Sequence, residues 1–296
     1  MEFTVLDTAS TFRRLLDTPD ADQRETIFRT ELVAPFAGLT EIFGGGDGLT
    51  QFAMWGMAPD YYTPENAALR SRLEVFRKAR AWERTAEALE RCAQAFAPFA
   101  DRIPVRPVTV GLMLVDPARM APGDQGYSGF GAIPGWLLTV FSGDSPEVLK
   151  RIESVTAHEL HHNIHARIFP FDPMGTTVAQ YMIMEGLAES FAAALFGEST
   201  LGHFVTGFDE SRLEAARAIM RDGLNQTGFG LIRAYIFGDT VAQSMGLPVL
   251  GLPDFAGYAL GYRVVQAFLE RTGKSVVEAT FVPAAEIVRE SRFFND

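Results

Sequence analysis

Residues 158–165 read His-Glu-Leu-His-His-Asn-Ile-His and hold four of the five histidines of this 296-residue chain. They contain the pattern HExxH, formed by His158, Glu159 and His162. On a helix, residues four apart point in nearly the same direction, so His158 and His162 have the spacing that two ligands of one zinc ion need. Glu159 lies to one side of this pair, within reach of a water on the metal but not positioned to ligate the metal itself. The pattern therefore predicts a hydrolytic zinc site with Glu159 as the general base.

The same segment has a second possible register. His161 and His165 are also four apart and could hold a metal, but His162 would then occupy the position of the base, so we rank this register below the first. The alternative is that these histidines form a solvent-exposed helix face that binds no metal. The capped helix start and the apolar positions around the motif favour the zinc site.

Two carboxylates further along the chain complete the predicted site. Glu185 and Glu189 are four apart in the largely apolar helical segment 182–191, where a buried carboxylate is costly unless it is paired or bound to metal. Because a catalytic zinc normally has three protein ligands, we expect Glu185 to be the third. Glu189, one turn on, is expected to accept a hydrogen bond from a ligating histidine. His203 and Asp209 are weaker alternatives for the third ligand, and a pair of exposed acids is the alternative without metal.

The elements around the motif follow from local pattern. Alternating and β-branched residues predict strands over residues 105–115 and 136–141. Ser145, followed by proline and glutamate, is a typical helix start, so a helix is expected from residue 146 to about 167. Apolar residues at steps of three and four predict one long helix over residues 64–96.

These elements indicate a predominantly helical α+β fold with a small sheet beside the HExxH helix. We predict a helical N-terminal region over residues 1–100 and a catalytic region over residues 101–296. Whether the two regions form one compact unit is left open.

Composition excludes several classes of protein. The chain has 37 acidic and 26 basic residues, a net charge of −11, which disfavours nucleic acid as a partner. The single cysteine, Cys92, excludes an intramolecular disulfide and a four-cysteine zinc site. The chain shows neither a secretory signal nor an apolar run of about 18 residues, so we expect a cytoplasmic protein without a membrane partner. The sequence does not indicate an oligomeric state.

The order of motifs resembles a known group of enzymes. His158-Glu159-x-x-His162 followed by Glu185-Gly-Leu-Ala-Glu189 resembles the gluzincin zinc peptidases, in which a glutamate on a second helix completes the metal site. Over roughly residues 105–290 the chain is similar to the YjaZ-like family of predicted zinc-dependent proteases. The resemblance implies a gluzincin-like core, zinc as the metal and peptide hydrolysis. The 22 residues between His162 and Glu185 exceed the separation in thermolysin-like enzymes, so an inserted loop is expected.

Two further segments are candidates for substrate contacts. Residues 256–263 resemble the glycine- and tyrosine-rich segment of thimet-type oligopeptidases, although the histidine that precedes it there is missing. Either Tyr258 or Tyr262 could donate to the developing oxyanion, or both could simply pack a helix. The glycine-rich stretch 129–133 is a candidate edge strand for pairing with an extended peptide, or else a loop.

The leading hypothesis is therefore a zinc metallopeptidase that acts on peptides. One alternative keeps the zinc site but uses a small amide or a modified amino acid as substrate. The other is a non-catalytic binding protein in which the metal only joins two helices.

Overall fold

The computed structural model describes residues 1–42, 44–104, 107–120 and 125–295. The fold is α+β, as predicted: mostly helical, with one small mixed sheet of four strands. Contacts group the chain into two compact units, Met1–Gln94 with Pro104–Asn163, and Ala95–Ile103 with Ile164–Asp296. These units do not follow the boundary expected near residue 100, which stays a prediction about domain organisation.

The sheet lies in the first unit. Its strands are β1 (Phe3–Val5), β2 (Val108–Leu114), β3 (Tyr127–Phe130) and β4 (Trp136–Phe141), in the order β1-β2-β4-β3. Strands β1, β2 and β4 are parallel, whereas β3 runs antiparallel to β4 at one edge. The predicted strand over residues 136–141 is confirmed. The strand expected from residue 105 begins at Val108, and Val105 lies outside the described residues.

Strand β2 is the buried centre of this unit. It is almost entirely inaccessible to solvent, as expected for a parallel strand covered on both faces. Two side chains from the N-terminal part of the chain bind its carbonyl groups. Thr8 Oγ1, at the start of the first helix, donates to Leu112 O at 2.6 Å, and Tyr62 OH, in the connection before the helix Ala67–Lys78, donates to Leu114 O at 2.9 Å. The N-terminal helices therefore share a core with the sheet.

The helices of the first unit are mostly short. Two predicted helices are interrupted. The one expected over residues 64–96 is broken at Arg80, whose φ of 55° is left-handed and ends a regular helix. The one expected from residue 146 is broken at residues 150–151. Its start is confirmed, because Val148 N donates to Ser145 Oγ at 3.3 Å.

The α-helices of the first unit are Thr8–Asp17, Ala21–Ile27, Ala37–Ile42, Leu49–Met54, Ala67–Lys78, Ala81–Phe96, Pro146–Leu149 and Ile152–Ile168. The last two residues of Ala81–Phe96, and the part of Ile152–Ile168 after Asn163, belong to the second unit. A π-helical turn, Phe28–Val33, and 3₁₀ turns at Ala34–Phe36 and Pro117–Arg119 connect them.

The second unit is helical. Its α-helices are Val178–Phe196, His203–Thr206, Leu213–Gly223, Phe229–Phe237, Asp239–Ser244, Ala256–Thr272, Val276–Ala279 and Ala284–Ser291. Short 3₁₀ turns lie at Ala97–Arg102, Glu198–Thr200 and Glu210–Arg212. We call Ile152–Ile168 the histidine helix, Val178–Phe196 the glutamate helix, Phe229–Phe237 the arginine helix and Ala256–Thr272 the tyrosine helix. In the part of the chain that the structure describes, no helix has both the length and the apolar character needed to cross a bilayer.

The glutamate and tyrosine helices touch backbone to backbone. A methyl group on Gly186 would lie 2.9 Å from Tyr262 N and closer still to the carbonyl group of Gly261. A methyl group on Gly261 would meet the carbonyl oxygen of Met182 in the same way. Only glycine permits this separation, so the pair determines how closely the backbone beside Glu185 approaches the tyrosine helix.

Candidate metal centre

Three buried side chains converge on one point. A ring nitrogen of His158, a ring nitrogen of His162 and a carboxylate oxygen of Glu185 all lie within 4.8 Å of one another. The two Nε2 atoms are 2.9 Å apart, which follows from their spacing of one helical turn. Among the described residues this is the only group of three or more histidine, cysteine, aspartate or glutamate side chains that comes together in this way.

The chemistry of this donor set fits zinc. Two imidazole nitrogens and one carboxylate oxygen are a known ligand set of catalytic zinc sites, which keep a further position open for water or substrate. Glu185 is 3% exposed, and burying an ionised carboxylate at this depth is costly unless a positive charge lies beside it. A bound divalent cation would supply that charge. No thiolate takes part, because Cys92 is buried elsewhere and burial raises the pKa of its thiol to about 12.

Glu159 packs against the edge of the sheet. Its carboxyl group lies so close to Gly129 of β3 that a methyl group there would be 2.6 Å from Cδ. A methyl group on Gly131 would be 2.6 Å from the Glu159 carbonyl carbon. Neither glycine has a positive φ, so close approach to the histidine helix is the reason for glycine at both positions. The small sheet therefore lies beside the HExxH helix, as predicted.

The edge strand differs from the one expected over residues 129–133. It covers Tyr127–Phe130, so residues 131–133 lie beyond its end, in the connection to β4. Their glycine and alanine content alone could not separate strand from loop. On the strand itself, Phe130 stacks on Trp55 with ring centres 5.6 Å apart.

Asn163 is a site residue that the sequence reasoning missed. It is fully buried next to His162, and its amide nitrogen lies 3.1, 2.9 and 2.9 Å from the carbonyl oxygens of Gly131, Ile133 and Trp136. Its Oδ1 accepts from Gly135 N at 3.2 Å. One side chain thus joins the β3–β4 connection to the histidine helix. A polar residue on the buried face of that helix is the only sequence signal that could have found it.

Glu189 binds backbone. Its Oε2 accepts from Gly202 N at 3.0 Å, and the residue is 5% exposed. Gly202 precedes the short helix His203–Thr206, so Glu189 holds the start of that helix against the glutamate helix. The hydrogen bond expected from a ligating histidine to Glu189 stays a prediction.

The alternative ligands lie outside the three-residue group. His161 and His165 are buried on the histidine helix. His203 packs against Phe204, with ring centres 3.8 Å apart. Asp209 is exposed and caps a 3₁₀ turn, where hydrogen bonds from Ser211 lower the pKa of its carboxyl group.

The two tyrosines of the tyrosine helix have different surroundings. Tyr258 is buried in an aromatic cluster and stacks on Phe204 at 4.9 Å. Tyr262 is half-buried, and burial raises its pKa, with the charges of Glu198 and Glu189 adding to the effect. The phenol of Tyr262 therefore keeps its proton at neutral pH. The oxyanion role of either residue stays a prediction.

Comparison with known proteins agrees with this chemistry. The chain matches the family described as Predicted Zn-dependent protease (DUF2268) over residues 81–289. It is 31% identical over 285 residues to the uncharacterized protein YjfC of Bacillus subtilis (strain 168). The matched region covers 93% of this chain and 94% of that protein. It is 25% identical over 141 residues to the uncharacterized protein YjaZ of the same strain, which covers 45% of this chain and 48% of that protein. No solved structure matches the chain. With its HExxH segment and Glu185 both inside the matched range, the chain belongs to this family of predicted zinc-dependent proteases.

Proposed function

We propose that the chain is a zinc-dependent peptidase of the gluzincin type, with His158, His162 and Glu185 as metal ligands and Glu159 as general base. The observation that carries the proposal is the approach of the three buried donor atoms to within 4.8 Å of one another. An intact glutamate directly after the first ligand favours catalysis over a purely structural metal, because a structural site needs no base.

Bound zinc supplies a Lewis acid that polarises a carbonyl group and lowers the pKa of a coordinated water. Glu159 is 7% exposed and lies on the histidine helix beside His158, so its carboxylate is held where it can accept a proton from an attacking water. As the water oxygen bonds to the peptide carbonyl carbon and the C–N bond breaks, Glu159 passes that proton to the departing nitrogen. The products are a carboxylic acid and an amine, and Glu159 is again ionised.

The edge of the sheet is the proposed place for the peptide backbone. Strand β3 is at the end of the strand order and pairs only with β4 within the sheet. An extended peptide can add to such an edge through backbone hydrogen bonds. Because Gly129 has no side chain, a peptide at this edge could approach Glu159 closely. The phenol group of Tyr258 or of Tyr262 is the proposed donor to the oxyanion.

The remaining properties fit this activity. The net charge of −11 favours a peptide over a nucleic acid as substrate. The one cysteine is buried and free, which suits a reducing compartment, and we propose the cytoplasm as the location.

The test is Glu159→Gln, compared with wild type for zinc content and for hydrolysis of a peptide library. We expect the variant to bind zinc like the wild type and to lose about 10²-fold or more of its activity, the usual contribution of a general base. Glu147→Gln is the matched control, because Glu147 is exposed and pairs with Lys150 on the surface. His158→Ala and Glu185→Ala should each lose zinc.

Three results would contradict the proposal. Full activity of Glu159→Gln would exclude its role as the base. Wild-type zinc binding by both ligand variants would exclude the ligand set. A zinc-loaded wild type that hydrolyses small amides but no peptide would exclude a peptidase.

A further inference from the structure

Arg233 is held between two aromatic rings of its own helix. Its guanidinium carbon is 5.3 Å from the ring centre of Phe229 and 5.7 Å from that of Phe237, one turn away on either side. Aromatic faces attract a guanidinium through its charge and fix the orientation of its plane. Such stacking uses the faces of the group and leaves its N–H donors available.

No anion neutralises this charge within the described residues. The guanidinium forms neither an ion pair nor a hydrogen bond there, and burial lowers the pKa of Arg233, opposed only by Tyr181 and Tyr258. Three other arginines of the same unit stack on aromatic rings and differ from Arg233. Arg102 lies over Phe281 but is exposed to solvent. Arg217 lies over Phe293 and pairs with Glu214 at 3.2 Å, and Arg263 lies over Phe208 and pairs with Glu210. Among these four stacked arginines, only Arg233 is half-buried and has no counterion within the described residues.

The surroundings of Arg233 point towards the metal ligand Glu185. Tyr181 lies on the glutamate helix one turn before Glu185, and residues four apart share a helix face. The ring of Phe171 contacts both the glutamate helix and the arginine helix, because its centre is 6.2 Å from the ring of Tyr181 and 5.8 Å from the ring of Phe229. Phe171 and Phe229 are 37% and 46% exposed, so two open aromatic rings lie beside the cation.

We propose that Arg233 binds a carboxylate group of the peptide substrate, while Phe171 and Phe229 pack against the apolar part of the same substrate residue. This inference rests on the proposed peptidase function and names its substrate class. Guanidinium and carboxylate match in geometry and form two parallel charge-assisted hydrogen bonds. The carboxylate has two possible sources, the C-terminal carboxylate of a short peptide or an Asp or Glu side chain within a longer one.

The test compares wild type with Arg233→Gln and Arg233→Lys on matched peptides. One pair differs only in a free or amidated C-terminus, and a second pair differs only in an internal Glu or Gln. For the pair that carries the recognised carboxylate, we expect Arg233→Gln to raise KM about 10- to 100-fold, the range for a lost charge-assisted hydrogen bond. The neutral member should change little. Arg233→Lys keeps the charge but cannot form two parallel hydrogen bonds, so its KM should lie between those of wild type and Arg233→Gln.

The control is Arg217→Gln, which removes another stacked arginine of the same unit, 23% exposed in its side chain. An effect confined to the C-terminal pair assigns the terminal carboxylate, and one confined to the Glu/Gln pair assigns a side chain. Equal changes for charged and neutral peptides, or no difference from Arg217→Gln, would overturn the proposal.

A binding measurement separates this inference from the peptidase proposal. Calorimetry with N-acetylphenylalanine and its amide, at equal metal loading, should show tighter binding of the acid by wild type than by Arg233→Gln. For an internal side chain as the source, N-acetylglutamine amide and N-acetylglutamate amide replace this pair. Carboxylate binding that depends on Arg233 in a protein that cleaves no peptide would refute the peptidase and keep the site. Peptide hydrolysis, with no dependence of either hydrolysis or carboxylate binding on Arg233, would refute the carboxylate site and keep the peptidase proposal.

Discussion

Replacing Gly186 by alanine tests how the glutamate helix is positioned. The new methyl group would be 2.9 Å from Tyr262 N and nearer still to the carbonyl group of Gly261, separations that real Cβ atoms essentially never show. Both neighbours are backbone of the tyrosine helix and cannot rotate away. Ordinary contacts of about 3.5 Å would require the two helices to separate by roughly 1 Å.

The expected cost follows from two opposing effects. Alanine favours a helix over glycine by about 1 kcal/mol, whereas overpacking of this severity costs about 3 kcal/mol. For a chain of 296 residues that unfolds as a whole, the net loss of about 2 kcal/mol corresponds to a fall in Tm of about 3 °C. Glu185 precedes Gly186, so zinc affinity should also fall as the ligand moves. Calorimetric melting and zinc competition with a chelator measure the two effects.

The matched control is Gly230→Ala. Gly230 lies in the arginine helix with a negative φ, and a methyl group there would meet only the flexible end of Leu247 at 3.2 Å. This change should be neutral or stabilising. The reasoning is refuted if Gly186→Ala is as stable as Gly230→Ala and binds zinc like wild type. The double variant Gly186→Ala with Gly261→Ala should cost less than the sum of the single changes, because both methyl groups require the same separation.

Two other predictions concern the first unit. Asn163→Ala should lower the free energy of unfolding, measured by urea titration, by about 2 to 3 kcal/mol, because it leaves buried carbonyl groups without a donor. Asn163→Asp should lower it further, because a carboxylate would then face those carbonyl oxygens. Asn163→Asp with the stability of wild type would contradict the network. Cys92, buried and with a pKa of about 12, should react with a disulfide reagent only as fast as the protein unfolds. Rapid labelling of the native protein, measured by absorbance, would show that the thiol is accessible.

The candidate site was predictable where chemistry follows local spacing. The turn between His158 and His162 depends only on the helix period, and two acids in an apolar helical segment mark that segment as unusual in any fold. Strand β4 was predictable because six consecutive apolar or β-favouring residues follow a glycine-rich stretch. In each case neighbours along the chain hold the information.

The remaining features depend on residues far apart in sequence. Strand β1 has three residues, too few for a pattern, and exists because it pairs with β2 over a hundred positions later. Asn163 cannot be recognised until the β3–β4 connection lies against it, and the Glu189 bond to Gly202 requires the chain to return to the glutamate helix. The open charge of Arg233 is likewise a property of what surrounds it.

The sequence alone predicted the metal chemistry, because the types of the candidate ligands and their helical spacing are local. Tertiary structure decided which third donor meets the two histidines and which glycines permit backbone contact. It also decided that the half-buried, stacked Arg233 has no counterion among the described residues. These depend on distances between segments, and such distances arise only when burial of apolar surface brings the segments together.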